Sequence, residues 1–426
     1  MAALAGTLIP LLIFAVLLIL GVPVFVAMGL GSIAFIQLSS ATMQMTLFAD
    51  TLYSGLSSFA LIAVPLFIFT GDAIFEVGVA RELLDFVESL VGGLKTGFGS
   101  ATILGCGLFA TISGSNASDA AAIGRITLGR LYDTGYSRNY AAAMVASGAS
   151  TGVLIPPSIS YIIAGIILGV PASTLFLAAF IPGTLILLSM VAVNIIVNRS
   201  EGYESGGEFQ GVGDVLRSGW EAKFGLLIPI IILGGIYLGI FTPTEAAAVA
   251  VGVTLLIGLG YSTIGLGDFS GMYKRSAILN GIISPNIAVG IVFSQVISVL
   301  GLPSQVAAAL FGTTQNFYIV TLLMIFFFLV AGAIIEITPN IIILGPLFAP
   351  LAADIGMDPV HYTVVLISAL GVGFITPPIG LNLYVLSGIS GESVLDVARS
   401  AVPFMISMLI IVVILAWFPG LFMWLV

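Results

Sequence analysis

The 426-residue chain is poor in charge, poor in histidine and nearly devoid of cysteine. Only 7% of its residues are Asp, Glu, Lys or Arg, against about 25% in a soluble domain. So few charges cannot cover a water-facing surface. The single cysteine, Cys106, excludes an internal disulfide framework. The single histidine, His361, excludes the His-Glu-x-x-His pair of a metalloprotease. Gly148-x-Ser150-x-Gly152 matches a serine-hydrolase pattern, but its only available imidazole base is His361, in an outer loop. Tyr132-Asp133 and Gly265-Leu-Gly-Asp268 resemble aspartyl-protease patterns, yet both aspartates fall in polar stretches outside the spans. The net charge is −9 and no basic run exists, which argues against nucleic acid as a partner. What is present is apolar: 59% of residues are hydrophobic and mean hydropathy is +1.22. Apolar runs recur near the ~20 residues a helix needs to cross a bilayer. Strands of a barrel would alternate instead. The chain reads as an all-α polytopic protein of the lipid bilayer, with 51 glycines permitting close helix contact and helix breaks.

The first apolar stretch, Leu8 to Ile36, is too long for a signal-peptide core and lacks a basic flank. Gly21 and Pro23 divide it into two short spans joined by a tight turn. Lys and Arg mark cytoplasmic loops, and all eleven fall in a few places: Arg81 and Lys95; Arg125, Arg130 and Arg138; Arg199, Arg217 and Lys223; Lys274 and Arg275; Arg399. The connections Gln37 to Ser54, Gly169 to Ser173, Gly239 to Thr244, Gly301 to Asn316 and Ala352 to His361 carry none and are expected outside. Two apolar stretches have like flanks. Lys95 to Arg125 is basic at both ends, and Asn316 to Asp354 at neither. Each is interrupted by polar or helix-breaking residues, Ser113-Gly114-Ser115-Asn116 and Thr338-Pro339-Asn340. Both are expected to be re-entrant helical hairpins entering from opposite faces.

The span after each hairpin is also broken. Ser147 to Pro157 aligns with Ser368 to Pro378 at an offset of 221, with Ser, Gly and Pro-Pro coinciding. A double proline removes two backbone donors and forces the helix to unwind. The hairpin tips align at nearly the same offset, with Asn116 facing Asn340 at 224. The chain therefore holds two inverted copies of one unit, a hairpin followed by a Gly/Pro-broken helix. That pattern is the signature of a secondary transporter with sites near the midplane. The expected organisation is scaffold spans over 1–80, repeat 1 over 81–165, scaffold spans with the polar loop 199–222 over 166–300, repeat 2 over 301–390, and a terminal span over 391–426.

Unwound backbone in a membrane lies against protein or a wet cavity. Its freed carbonyls are hard oxygen ligands suited to Na⁺, and the half-helix N-termini suit an anionic substrate. The tips add side-chain oxygens from Ser113, Ser115, Asn116, Thr338 and Asn340. Two copies imply at least two ion sites. The structural alternative is that these small polar residues serve only packing. Asp119 is expected to cap the returning half-helix rather than bind an ion. Glu336 is open to pairing or function. Arg125, about 13 Å along a helix from Asn116, can snorkel to the cytoplasm or meet a substrate carboxylate, and snorkelling is favoured.

Ser113-Gly-Ser-Asn-Ala-Ser-Asp119, Ala120-Ala-Ala-Ile-Gly124, Gly135-Tyr136, Gly152-Val-Leu-Ile-Pro-Pro-Ser-Ile159, Ile181-Pro-Gly183 and Gly373-Phe-Ile-Thr-Pro-Pro-Ile-Gly380-Leu-Asn382 resemble the large membrane subunit of TRAP transporters, the tripartite ATP-independent periplasmic transporters. The resemblance implies sodium-driven uptake of an organic acid across the bacterial inner membrane. It implies an elevator mechanism, in which hairpins and broken helices move as one transport domain. It also implies two partners, a small four-helix membrane subunit, expected as a separate polypeptide, and a periplasmic substrate-binding protein. Carried onto this sequence, one sodium site uses Ser113, Asn116, Gly152, Ile155 and Pro157. The other uses Thr338, Asn340, Gly373, Thr376 and Ile379. Ser115, Ser150, Thr151 and Arg125 are the candidates for substrate contact. A stand-alone sodium–dicarboxylate symporter is the alternative, although its tips usually read Ser-Asn-Thr.

Overall fold

The computed structural model describes residues 2–38, 45–94, 96–204, 211–261, 263–265, 267–311 and 314–425. Lys95, used above as a hairpin flank, lies outside them, as does 205–210 of the polar loop. Among the described residues every regular element is helical. In chain order these are α1 Ala2–Ile19, α2 Val24–Leu38, α3 Met45–Leu56, α4 Ala63–Val77, α5 Val79–Val91, α6 Gly97–Ser113, α7 Asn116–Asp133, α8 Arg138–Ala149, α9 Thr151–Leu154, α10 Ile159–Leu168 and α11 Ala172–Glu201. Then follow α12 Val212–Glu221, α13 Lys223–Tyr237, α14 Pro243–Gly260, α15 Asp268–Val299, α16 Leu302–Phe311, α17 Phe317–Ile334, α18 Ile337–Asp354, α19 Pro359–Gly373, α20 Leu381–Ser390 and α21 Val394–Trp417. Seven described helices are long and apolar enough to span a membrane unaided. Gly21, at φ +76°, makes the turn between α1 and α2. Two connections read as loops contain helices, α3 and α16, because short amphipathic segments fold against the long α15 and against α18.

Both hairpins form. α6 packs on α7 after a break at Gly114 and Ser115, and α17 on α18 after a break at Ile335 and Glu336. Both broken helices form: α8 and α9 turn by 41° into α10, and α19 gives way to α20. The Pro156-Pro157 and Pro377-Pro378 bonds in the two breaks are both cis. The hairpin register differs from the one expected. α7 begins at Asn116 and ends at Asp133; α18 begins at Ile337 and ends at Asp354, 221 residues later at each end. The tips thus share the 221 offset of the breaks, and the residue opposite Asn340 is Asp119, not Asn116. The 224 alignment matched a residue type rather than a backbone position.

The two repeats interlock. α10 of the first packs on α18 and α19 of the second, and α20 of the second packs on α7 and α8 of the first. Residues 140–165 and 361–375 are buried without interruption, so the two broken helices form the centre of the molecule. A helix buried on every face carries no amphipathic stripe, and α8 reads accordingly as Tyr-Ala-Ala-Ala-Met-Val-Ala-Ser-Gly-Ala.

The basic side chains gather at one end and knit it together. Arg130 pairs with Glu88, Arg138 with Glu392 at 3.7 Å, and Arg275 with Asp72 and Glu76 at 3.0 and 2.6 Å. At the same end Glu204, just past α11, accepts from the Phe98 and Gly99 N–H groups at 2.8 and 3.3 Å and from the Tyr136 hydroxyl at 3.0 Å. It satisfies the free amides at the start of the first hairpin, as a capping side chain does. The opposite end contains His361, which is buried rather than interfacial, its Nε2 2.9 Å from the Leu415 carbonyl. α14 starts on a full capping box, in which Thr242 and Glu245 satisfy each other's backbone N–H groups.

Candidate ion and substrate site

The first tip folds onto the first break. α6 ends in the left-handed Gly114, at φ +59°, whose N–H donates to Ala110. A Cβ there would meet the Pro157 carbonyl at 3.0 Å, so glycine is needed for both conformation and space. Gly152 is tighter still: a Cβ would come 2.7 Å from the Asn116 nitrogen and 2.6 Å from Asp119 Oδ2. Ser113, Asn116 and Gly152 are therefore one cluster. Ile155 leaves the helix in extended conformation, at φ −92° and ψ 126°, beginning the unwound run that holds Pro157.

Asp119 does not cap α7. It is fully buried in the first helical turn, its Oδ1 accepts from the Ser113 hydroxyl, and its Oδ2, facing Gly152, has no hydrogen-bond partner. A buried carboxylate oxygen without a partner is costly, and a cation in this cluster would satisfy it.

The second tip meets the second break through backbone. A Cβ on Gly373 would collide with the Gly332 carbonyl carbon. The Ile379 and Gly380 N–H groups donate to the Ala333 carbonyl at 3.2 and 3.1 Å. Asn340 donates to the Ala331 and Ile335 carbonyls at 3.1 and 2.8 Å, closing the tip on itself. Thr338 is buried, and its N–H donates to Glu336, the N-cap of α18, at 2.9 Å. Thr376 donates its hydroxyl to Val372 at 2.9 Å. The first break, 155–158, is buried, whereas Pro377, Pro378 and Ile379 are exposed. One break is closed over and the other open.

Over residues 11–421 the chain matches the family described as "Tripartite ATP-independent periplasmic transporter, DctM component". It is 32% identical to the C4-dicarboxylate TRAP transporter large permease protein of Pseudomonas aeruginosa, over 87% of each chain. It is 30% identical to the sialic acid TRAP transporter large permease protein of Vibrio cholerae, over 95% of this chain and 94% of that one. This chain belongs to the DctM family. It is a multi-pass membrane transport protein, not an enzyme. It is also 31% identical to the isethionate TRAP transporter permease protein of Oleidesulfovibrio alaskensis, of which it spans 64%. The YdaH transporter of Alcanivorax borkumensis shares the fold, with a TM-score of 0.63 over 98% of both chains at 13% identity.

Within this DctM-family chain one site residue escaped the sequence reading. Asn382 is fully buried at the start of α20. It accepts from Asn116 at 3.0 Å and donates to the Ala146 carbonyl and the Ser150 hydroxyl at 3.0 and 3.2 Å. It ties the second repeat to the tip and broken helix of the first. The Gly380-Leu-Asn382 run was visible in sequence, but a contact spanning 266 residues is not local. Of the substrate candidates, Ser150 and Thr151 are fully buried and bond helix carbonyls Ala146 and Gly148. Ser115 is the N-cap position of α7 and part-exposed, its N–H donating to Ser113 Oγ at 3.2 Å. Arg125 is exposed and lines a cavity of about 560 Å³ between α7, α4 and α15, together with Gly71, Asp72, Glu76, Arg81 and Ser118. The structure thus groups Ser113, Asn116 and Gly152, places Arg125 in an open cavity, and leaves Ser150 and Thr151 sealed in the core.

Proposed function

We propose that this chain is the large membrane subunit of a TRAP transporter that takes up an organic acid across the bacterial inner membrane with a sodium gradient. The observation that carries this reading is the unpartnered Asp119 Oδ2, buried beside Gly152 where the first tip meets the first break. A monovalent cation held there by hydroxyl, amide and carbonyl oxygens removes the cost of that oxygen. The second site lies between Thr338, Asn340, Gly373, Thr376 and Ile379, with an amide at the register position that Asp119 fills in the first. One site is then formally anionic and the other neutral, so the two differ in affinity.

The hairpins and broken helices form the moving body of an elevator, and α4 and α15 belong to the scaffold. α4 bears on the first tip: a Cβ on Gly71 would lie 3.1 Å from the Ser113 Cα. Arg125 and Arg81 make the cavity beside that contact suitable for a carboxylate on the cytoplasmic side. The partners are a small membrane subunit and a periplasmic substrate-binding protein, as the words "tripartite" and "large permease" in the relatives' descriptions suggest. The test is reconstitution into proteoliposomes with both partners and a panel of labelled organic acids. Uptake should require an inward Na⁺ gradient and both partners. Uptake driven by a proton gradient and indifferent to Na⁺ would overturn the coupling; robust uptake by this chain alone would favour a stand-alone symporter.

A further inference from the structure

α12 stands apart from the spans. It follows the polar loop and meets α13 at an angle of 73°. α13 begins the next apolar span at Lys223, so α12 runs close to the plane of the membrane at its basic face. Its ten residues divide into three sectors on the helical wheel. Ser218 and Gly219 pack on α5, with the half-buried Val215 in the same sector: Ser218 shares a 2.7 Å hydrogen bond with Ser89, and a Cβ on Gly219 would sit 3.1 Å from the Phe86 ring. Asp214, Arg217 and Glu221 form a charged, exposed sector, with Arg217 paired to Glu221 at 3.0 Å. The third sector is apolar and uncovered. Val212, Leu216 and Trp220, four residues apart, are 68%, 69% and 71% exposed.

We propose that this third sector is a lipid-binding face, seated in the headgroup–acyl boundary of the leaflet on the basic side. Three observations commit it to lipid. The helix is joined directly to a membrane span, and its stripe continues into the exposed apolar residues Leu227 and Ile230 of α13. The Lys223 ammonium lies 4.4 Å over the Trp220 ring, the pairing of aromatic belt and cation that marks an interface. Its charged sector sits away from the stripe, as interfacial helices require, and Arg217 and Lys223 suit anionic headgroups. The consequence is mechanical. α5 is the link from α4 into the first hairpin, and α12 clamps it to the membrane plane through Ser218 and Gly219. This inference rests on the membrane placement and stands apart from the sodium and substrate readings.

Spin labels on single cysteines test it in the full chain, carrying Cys106→Ser, in vesicles of phosphatidylethanolamine and phosphatidylglycerol. Val212→Cys, Leu216→Cys and Trp220→Cys should favour collision with oxygen over a water-soluble nickel chelate several-fold. Asp214→Cys, Arg217→Cys and Glu221→Cys should show the reverse. All six positions are exposed, so labelling leaves the packing on α5 intact. Adding phospholipids with shallow spin quenchers should also dim a fluorophore on Leu216→Cys more than one on Arg217→Cys. Equal access to the nickel chelate at both sectors would mean that the helix stands free in water. Stripe labels shielded from oxygen and nickel alike would mean that protein covers the face; either result overturns the proposal.

Discussion

Asp119 and Asn340 occupy equivalent backbone positions, yet one carries a carboxylate and the other an amide. Each reaches back to its own tip, Asp119 to Ser113 and Asn340 to Ala331 and Ile335. The difference in charge predicts a difference in phenotype. Asp119→Asn keeps the shape and removes the negative charge, and should raise the half-saturating Na⁺ concentration for uptake. A lost ligating or hydrogen-bonding group typically costs ~1–3 kcal/mol, or roughly 5- to 150-fold in concentration. Asn340→Ala and Thr376→Val should raise it less, because backbone carbonyls remain at the second site. Equal Na⁺ curves for Asp119→Asn and the wild type would remove Asp119 from the ion site. Gly152→Ala tests the same place sterically. Its methyl group would lie within 2.7 Å of both Asn116 N and Asp119 Oδ2, a degree of overpacking that typically costs ~1–3 kcal/mol. The expected outcome is a folded protein, monodisperse on gel filtration, whose uptake no longer responds to Na⁺.

At the scale of elements, the hairpins and breaks are defined by what stops a helix. Gly114 and the Pro-Pro pairs do so for local steric reasons, which is why tips and breaks could be placed from sequence within a few residues. Direction of entry is a separate matter and rests on Lys and Arg. Leu94, before the first hairpin, and Gln315, before the second, are both exposed. In a Cys106→Ser background, Leu94→Cys and Gln315→Cys should react with a membrane-impermeant maleimide from opposite faces of oriented vesicles. Reaction from the same face would end the inverted arrangement. The second break is exposed while the first is buried, because the Gly114 turn lies against Pro157 and Gly183 of α11 against Ile155.

For the whole molecule, cation binding should couple to stability, since each proposed site is shared by elements far apart in sequence. A ligand that binds only the folded state stabilises it by about 2.7 kcal/mol at 100 times its Kd. Replacing K⁺ by Na⁺ at constant ionic strength should therefore raise the thermal transition of the detergent-solubilised protein by several degrees. Asp119→Asn should lose a large part of that shift, and Arg125→Gln none of it, because Arg125 lies in the cavity and not at the tip. An identical transition in both salts would argue against a sodium site in this conformation.

Composition alone determined that the chain lives in a bilayer, because 31 charges cannot wrap 426 residues in water. The doubled Pro-Pro motif and the segregation of Lys and Arg determined that it consists of two inverted halves. These are local or summed properties, written in each residue's own chemistry. Tertiary structure decided what the halves do to each other. It set the register that opposes Asp119 to Asn340, where residue identity had favoured Asn116. It turned Asp119 from an expected cap into a buried, half-satisfied carboxylate, because Gly152 leaves room for it. It brought Asn382 to Asn116 across 266 residues and sealed Ser150 and Thr151 in the core. It also revealed α12 as a helix with an uncovered stripe inside what read as a polar loop. Each of these depends on which helices pack against which, and no window along the chain holds that information.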